Sequence, residues 1–429
     1  MTNAPLESPE PLKSPDVLES PERIEPPTGT RRRLDHIDAM RPVKQAAVIS
    51  THTLLFFAPL GASLSVTGLV MLTRFSRDAF LFVSACMLTY SYRELAKFKA
   101  VQYFKRRFIS VGVPYLAWTV IYFFYTSANP ISKAPYYTFH GSGVFTNAGG
   151  HYFVHLLFTG YYHLYYLIVI MEFYVLFPLL LALIRRLDRW HAHIAIFAFL
   201  WQIGFGLALN LHTFGFRLSG IMQTRLITSY PIYLIGGMIV ALHLDVIHDW
   251  IVSHAKSILA ATLVSAIVAE VLLYWAHHAT LPNFLHTGSN VFGAAIVPYD
   301  VGAILCVYLL GVHLVSPNRS DVTRAVVHSG SDNSYGVYLS QMLWIPFLLR
   351  LRSHFNIHWP WPVAVLTALI LVYAMGYLFT ALIARTPLAK AVTGRTQVSW
   401  ASLRPFRHDG PSSSDGIAKD DGPMTLTAS

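Results

Sequence analysis

The sequence predicts an all-α, polytopic integral membrane protein with about ten transmembrane helices. Three observations carry this. Of the 429 residues, 54% are hydrophobic and only 13% charged, whereas soluble globular proteins are about a quarter charged. The apolar residues fall in long runs separated by short polar breaks. Lys and Arg concentrate in alternate breaks, as topology requires. A soluble two-domain chain would lack polar surface at this composition, and disorder over the whole length is excluded.

The elements follow in order. Residues 1–33 are rich in Pro, Glu and Ser and nearly devoid of large apolar side chains. Such a segment buries too little to offset its ordering entropy, so a disordered cytoplasmic tail is expected. No apolar stretch follows a short basic start, so it does not read as a signal peptide. Ten apolar segments come next, at about 43–60, 77–93, 107–126, 163–184, 192–212, 227–244, 257–276, 292–314, 334–350 and 362–384. Each is near the ~20 residues that cross a bilayer as helix, and helix satisfies the backbone there. Arg74, Arg77 and Asp78 crowd the start of the second, and 64–72 before it reads as a re-entrant or interfacial piece. The transmembrane region is expected over 34–390, with 391–429 a second, mostly disordered cytoplasmic tail.

With the N-terminus inside, the outer face holds only Arg74, Arg77, Lys133, Arg217, Arg225, Arg350 and Arg352 of the 32 Lys and Arg. That bias puts both termini in the cytoplasm of a multi-pass plasma-membrane protein. The net charge of +10 then reads as topology and anionic partners rather than nucleic-acid binding. The longest loop, about 127–162, falls outside; its Tyr, His and Gly suit sugars or lipid headgroups, or an ordinary interfacial aromatic belt. Cys86 and Cys306 lie in apolar runs and give no disulfide framework. Phosphate-binding and dinucleotide glycine loops, the Gly-x-Ser-x-Gly elbow and a metal-ligand spacing with a third partner are all missing from the sequence.

Titratable residues within spans mark candidate chemistry. On an α-helix, Arg41 and His52 share a face with roughly 16 Å between them along the axis, and Asp38 lies three before Arg41, within pairing reach. A cation then stands at the inner boundary and an imidazole near mid-membrane; the plain alternative is an anchor and a packing residue. Lys97, Lys99, Lys105, Arg106 and Arg107 lead into Pro114-Tyr115 and can bind phosphates, or simply set orientation. In the fourth span, His163-Leu164-Tyr165-Tyr166 precede Glu172, which shares a face with Tyr165. Glu270 and Asp300 are isolated and read as helix-pairing groups.

Taken together these residues resemble the integral-membrane acyltransferase-3 family. The family's opening Leu-Asp-x-Leu-Arg and later His match Asp35-His36-Ile37-Asp38-Ala39-Met40-Arg41 and His52, with the Arg-x10-His spacing intact. Phe80-Leu81-Phe82-Val83-Ser84-Ala85 is similar to its second-helix run, and Phe104-Lys105-Arg106-Arg107 through Pro114-Tyr115 to its basic stretch. His163-Leu164-Tyr165-Tyr166-Leu167 and Ser334-Tyr335-Gly336-Val337-Tyr338-Leu339 match two later motifs. The chain departs at Ser110, where an Arg is frequent, and at Gln341, where the late motif often ends in His. It also lacks room after Arg385 for the extra hydrolase-like domain of some relatives.

The resemblance implies O-acyl transfer from cytosolic acyl-CoA, acetyl-CoA foremost, to a hydroxyl of a lipid-linked or exported sugar, such as a cell-envelope glycolipid. His52 would be the general base, with Glu172 or Asp38 orienting it or holding Arg41. Arg41, Lys105, Arg106 and Arg107 would bind donor phosphates. His163, Tyr165, Tyr166, Tyr335 and Tyr338 would line the substrate site, without a metal. Two rivals stand beside this: a transporter or flippase without acyl chemistry, against which the lack of a clear internal repeat counts, and an inactive relative.

Overall fold

The computed structural model describes residues 34–59, 64–93, 98–128, 147–210, 224–278 and 294–399. The expected tail over 1–33 and most of that over 391–429 lie outside these residues. Every regular element among the described residues is helical. In chain order they are α1 (Asp35–Phe57), α2 (Leu64–Thr73), α3 (Phe75–Tyr92), α4 (Ala100–Arg107), α5 (Val113–Ala128), α6 (Asn147–Thr159), α7 (Tyr165–Arg186) and α8 (His191–Asn210). There follow α9 (Pro231–Leu242), α10 (Leu244–Ser253), α11 (Ala255–His278), α12 (Val297–Leu314), α13 (Asp321–His354), α14 (Trp361–Ile383) and α15 (Ala389–Thr393).

All ten expected segments contain helix, but the count of ten spans is not reproduced by length and apolarity. Among the described residues, six helical segments are long and apolar enough to cross a membrane, or seven if α9 and α10, bent by 106° at His243, form one broken span. The shortfall has a physical cause. Helix α1 carries Arg41, Lys44, Gln45, Thr51, His52 and Thr53, which depress its hydropathy. It packs on α2, α3, α12, α13 and α14 and is largely screened from lipid. An interior helix has no need of an apolar exterior. By contrast α11, at the rim, exposes Leu259, Leu263, Val264 and Ile267.

Three further features add detail to the sequence expectation. The stretch 64–72 is a short helix separated from α3 by a turn at Arg74. Part of the supposed loop 127–162 is helix α6, whose backbone carbonyls at Leu156 and Leu157 accept the Tyr115 hydroxyl (3.3 and 2.7 Å). Order also runs past 390: Trp118 Nε1 donates to the Val392 carbonyl (2.7 Å), and Arg395 reaches Asn333 and Asp332 (3.1 and 3.3 Å).

Close packing of α3 on α9 rests on a small residue. A Cβ at Gly237 would run into the Phe82 carbonyl, whereas one at neighbouring Gly236 would meet nothing within 4 Å. Small residues at such crossings let backbones approach within the membrane. Between α4 and α5 the backbone forms one π-turn, Phe108–Gly112, in which the Val113 N–H reaches back to the Phe108 carbonyl. Pro114 follows immediately and has no N–H to give. The widened turn thus absorbs the proline beside the basic stretch.

Candidate active site

The centre of the bundle holds a cavity of about 210 Å³. Its wall takes Val48, Thr51, His52 and Leu55 from α1, Arg74 from the α2–α3 turn, and Ser76, Arg77 and Phe80 from α3. Tyr162 and His163 come from the turn just before α7, Tyr165 and Tyr166 from its first turn, and Tyr338 from α13. Four of the predicted substrate residues, His163, Tyr165, Tyr166 and Tyr338, therefore meet His52 in one place.

His52 is oriented from α13. Gln341 is fully buried; its Nε2 donates to the Tyr338 carbonyl (3.1 Å), which turns Oε1 toward the imidazole. An amide oxygen only accepts, so His52 Nδ1 donates to it (3.1 Å). The flipped amide would set oxygen against oxygen at Tyr338. In the neutral ring Nε2 then keeps the lone pair. Neighbouring rings confine the imidazole: Tyr162 at 5.5 Å and His163 at 6.3 Å between centroids. The Tyr338 hydroxyl donates to the His163 carbonyl (2.6 Å), tying α13 to the entry of α7.

That entry is tightly shaped. Gly160 takes φ 74°, and Tyr162 takes φ 34°, a conformation that a bulky residue adopts only under strain of about 1–3 kcal/mol. The strained backbone presents Tyr162 to both His52 and Phe56 (5.5 and 5.9 Å between centroids).

Other predicted residues lie elsewhere. Asp38 is buried and pairs with Arg41 (3.4 Å). It stands fourteen residues before His52, about 21 Å along the axis, too far to orient the imidazole. Glu172 is not among the residues lining the cavity; its carboxylate lies near the Ile227 backbone. Tyr335 is behind the wall, with its ring parallel to that of Tyr338 at 6.5 Å. Of the basic stretch, Lys105 and Arg106 are exposed. Arg107 turns inward over the rings of Tyr92, Tyr103 and Tyr174 (5.9, 5.9 and 5.4 Å). Tyr174 lies within electrostatic reach of both Arg107 and Arg41.

Several wall residues escaped sequence reasoning. Gln341, which lies behind the wall and holds His52, registered only as a departure from a motif. Arg74 and Arg77 registered as crowding at a helix start, although intramembrane cations three apart are a usable signal. Arg77 is held by Asp78 (Nε–Oδ1 3.1 Å, Nη2–Oδ2 3.3 Å). Asp300 is not isolated: it lies beside Asp78 and accepts from the Tyr233 hydroxyl (3.4 Å). Glu270 packs its carboxylate onto Gly68 and joins α11 to α2. Lys44, also unanticipated, is buried two turns before His52, its Nζ 2.7 Å from the centre of the Phe80 ring. Among the described residues no group of three or more His, Cys, Asp and Glu is arranged to hold a metal.

An all-helical membrane bundle with an oriented histidine in its central cavity is the framework of an intramembrane enzyme. The sequence model of the acyltransferase-3 family, described as an acyltransferase domain, matches residues 35–381, from the first turn of α1 to near the end of α14. The chain belongs to that family and is a membrane acyltransferase. No curated protein and no solved structure gives a significant match.

Proposed function

We propose that the protein transfers an acyl group, acetyl foremost, from cytosolic acyl-CoA to a hydroxyl of a lipid-linked or exported sugar, both termini being cytoplasmic. The observation that carries this reading is the His52–Gln341 bond (3.1 Å) at the wall of the central cavity. His52 Nε2 accepts the proton of the acceptor hydroxyl as its oxygen attacks the thioester carbonyl. The carbonyl carbon gains a C–O bond and loses its C–S bond, and the CoA thiolate departs with the proton returned by His52. Tyr162, Tyr165 and Tyr166 line the same cavity, and a tyrosine hydroxyl is of the type that stabilises a developing oxyanion.

The donor enters from the side of Arg41 and Arg107. Its nucleotide phosphates are held there by Arg41 and Arg107, with exposed Lys105 and Arg106 attracting it electrostatically. The thin pantetheine arm spans the roughly 16 Å of helix between Arg41 and His52. Asp38 holds Arg41 rather than the base. Glu172, away from the cavity wall, has a bracing role between α7 and the segment at Ile227.

The test compares wild-type protein, His52→Ala and Arg41→Ala in nanodiscs with radiolabelled acetyl-CoA and membrane glycolipids. Loss of product of at least about 100-fold is expected for His52→Ala. A weaker donor KM is expected for Arg41→Ala, and that effect should shrink as salt rises. Folded His52→Ala with full turnover would refute the base assignment. Substrate uptake without covalent change would favour a carrier.

A further inference from the structure

A second cavity, about 820 Å³ and open to the surface, adjoins the first. It lies between the end of α1 and the end of α13, and its wall includes Phe56, Arg350, Arg352, Asn356, His358 and Trp361. Phe56 follows His52 by one helical turn, and its ring contacts Tyr162 (5.9 Å), a wall residue of the central cavity. The two spaces thus meet across one pair of aromatic rings.

Both walls carry arginine, Arg77 being paired with Asp78 behind the wall. Under the orientation adopted above, the outer face is poor in cations, as the positive-inside bias demands. Yet of the described outer arginines, Arg74 and Arg77 line the central cavity and Arg350 and Arg352 the second; Arg225 alone lines neither. Among the described residues lining either cavity there is no carboxylate. The turn that forms the outer rim is built rather than loose. Arg352 Nε donates to the Ile357 carbonyl (3.1 Å), and the Ile357 N–H returns to the Arg352 carbonyl (2.9 Å). Between them Asn356 takes φ 52°, a left-handed conformation that Asn tolerates better than most residues. This arrangement presents Asn356 and His358 beside Trp361 and Phe56. Amide and imidazole groups for hydroxyls, with flat apolar rings for the C–H faces of a pyranose, are the components of a saccharide site. Arginine forks add recognition of phosphate or carboxylate.

We infer that this outer cavity is the acceptor site, and that the acceptor is an anionic saccharide whose phosphate or carboxylate meets Arg350 and Arg352 while a hydroxyl reaches past Phe56 to His52. The assignment rests on the acyltransferase reading, and its test does not depend on turnover. Purified protein in nanodiscs is titrated with glucose 1-phosphate, glucuronate, glucose and dihexanoyl phosphatidylglycerol, and binding is followed by isothermal calorimetry. The two anionic sugars are expected to bind saturably and at least ten-fold tighter than glucose. Arg350→Gln should erase that preference, His358→Gln should weaken both sugars about equally, and His52→Ala should leave the preference intact. Equal binding of glucose and the anionic sugars would overturn the proposal, as would a preference unchanged in folded Arg350→Gln. Tight phosphatidylglycerol binding with weak sugar phosphate binding would replace the saccharide by a lipid headgroup and overturn it too. Failure of His52→Ala to lose turnover would instead strike the base assignment and leave the binding result standing.

Discussion

At His52 the tautomer is decided by a partner 289 positions away in the chain. Removing that partner leaves the imidazole N–H without its acceptor and lets the ring turn. Gln341→Leu is therefore expected to lower kcat by about 10–100-fold, the range found when a group orienting a functional imidazole is lost, with the donor KM unchanged. Gln341→Glu, protonated, can donate to the Tyr338 carbonyl and accept from Nδ1, so it should retain most activity. Steady-state kinetics on both variants checks this; equal losses would indicate a packing role alone. Tyr338→Phe removes a buried bond of 2.6 Å and should destabilise the fold by about 1 kcal/mol, read as a lower thermal midpoint. At this scale the sequence was half legible. The spacing on one helix exposed Arg41, Asp38 and His52, because local geometry is fixed by 3.6 residues per turn. Gln341 was illegible, because what it touches is set by the crossing of α13 with α1.

Helix crossings supply what spacing on one helix cannot. The α3–α9 contact predicts a contrast between adjacent glycines. Gly237→Ala forces a Cβ into the Phe82 carbonyl and should cost about 1–3 kcal/mol, whereas Gly236→Ala points into open space and should be neutral or slightly stabilising. Thermal unfolding of the two variants in one detergent measures the difference. Hydropathy located the helices well and misjudged what surrounds them. It is a measure of what lipid tolerates, so it marks rim helices such as α11 strongly and α1, which carries His52, only weakly. It likewise treated 147–159 as loop, since the Gly and His residues at its start suppress the apolar signal, although the segment is helical and braced by Tyr115.

For the whole molecule the decisive expectation is orientation. On a background of Cys86→Ala and Cys306→Ala, Phe355→Cys at the exposed end of α13 should react with an impermeant maleimide in intact cells. Trp190→Cys, exposed between α7 and α8, should react only after permeabilisation. The opposite pattern would reverse the donor and acceptor sides. Charge bias across the chain made this expectation possible from sequence, and the motif order made the family legible. The shape of the cavities was not, since each draws its walls from helices far apart in the chain.

The aromatic ring of Phe80 has an electrical consequence. It is part of the wall of the central cavity, with the Lys44 Nζ against it and Tyr166 and Tyr338 packed beside it (5.6 and 5.4 Å). Under the proposed chemistry one substrate arrives from each compartment, and such a passage is also where ions could leak down the membrane potential; a hydrocarbon disc there acts as a seal. Phe80→Ala is expected to make proteoliposomes conduct, read as faster decay of an imposed potential, and an unchanged decay would show that other side chains close the passage.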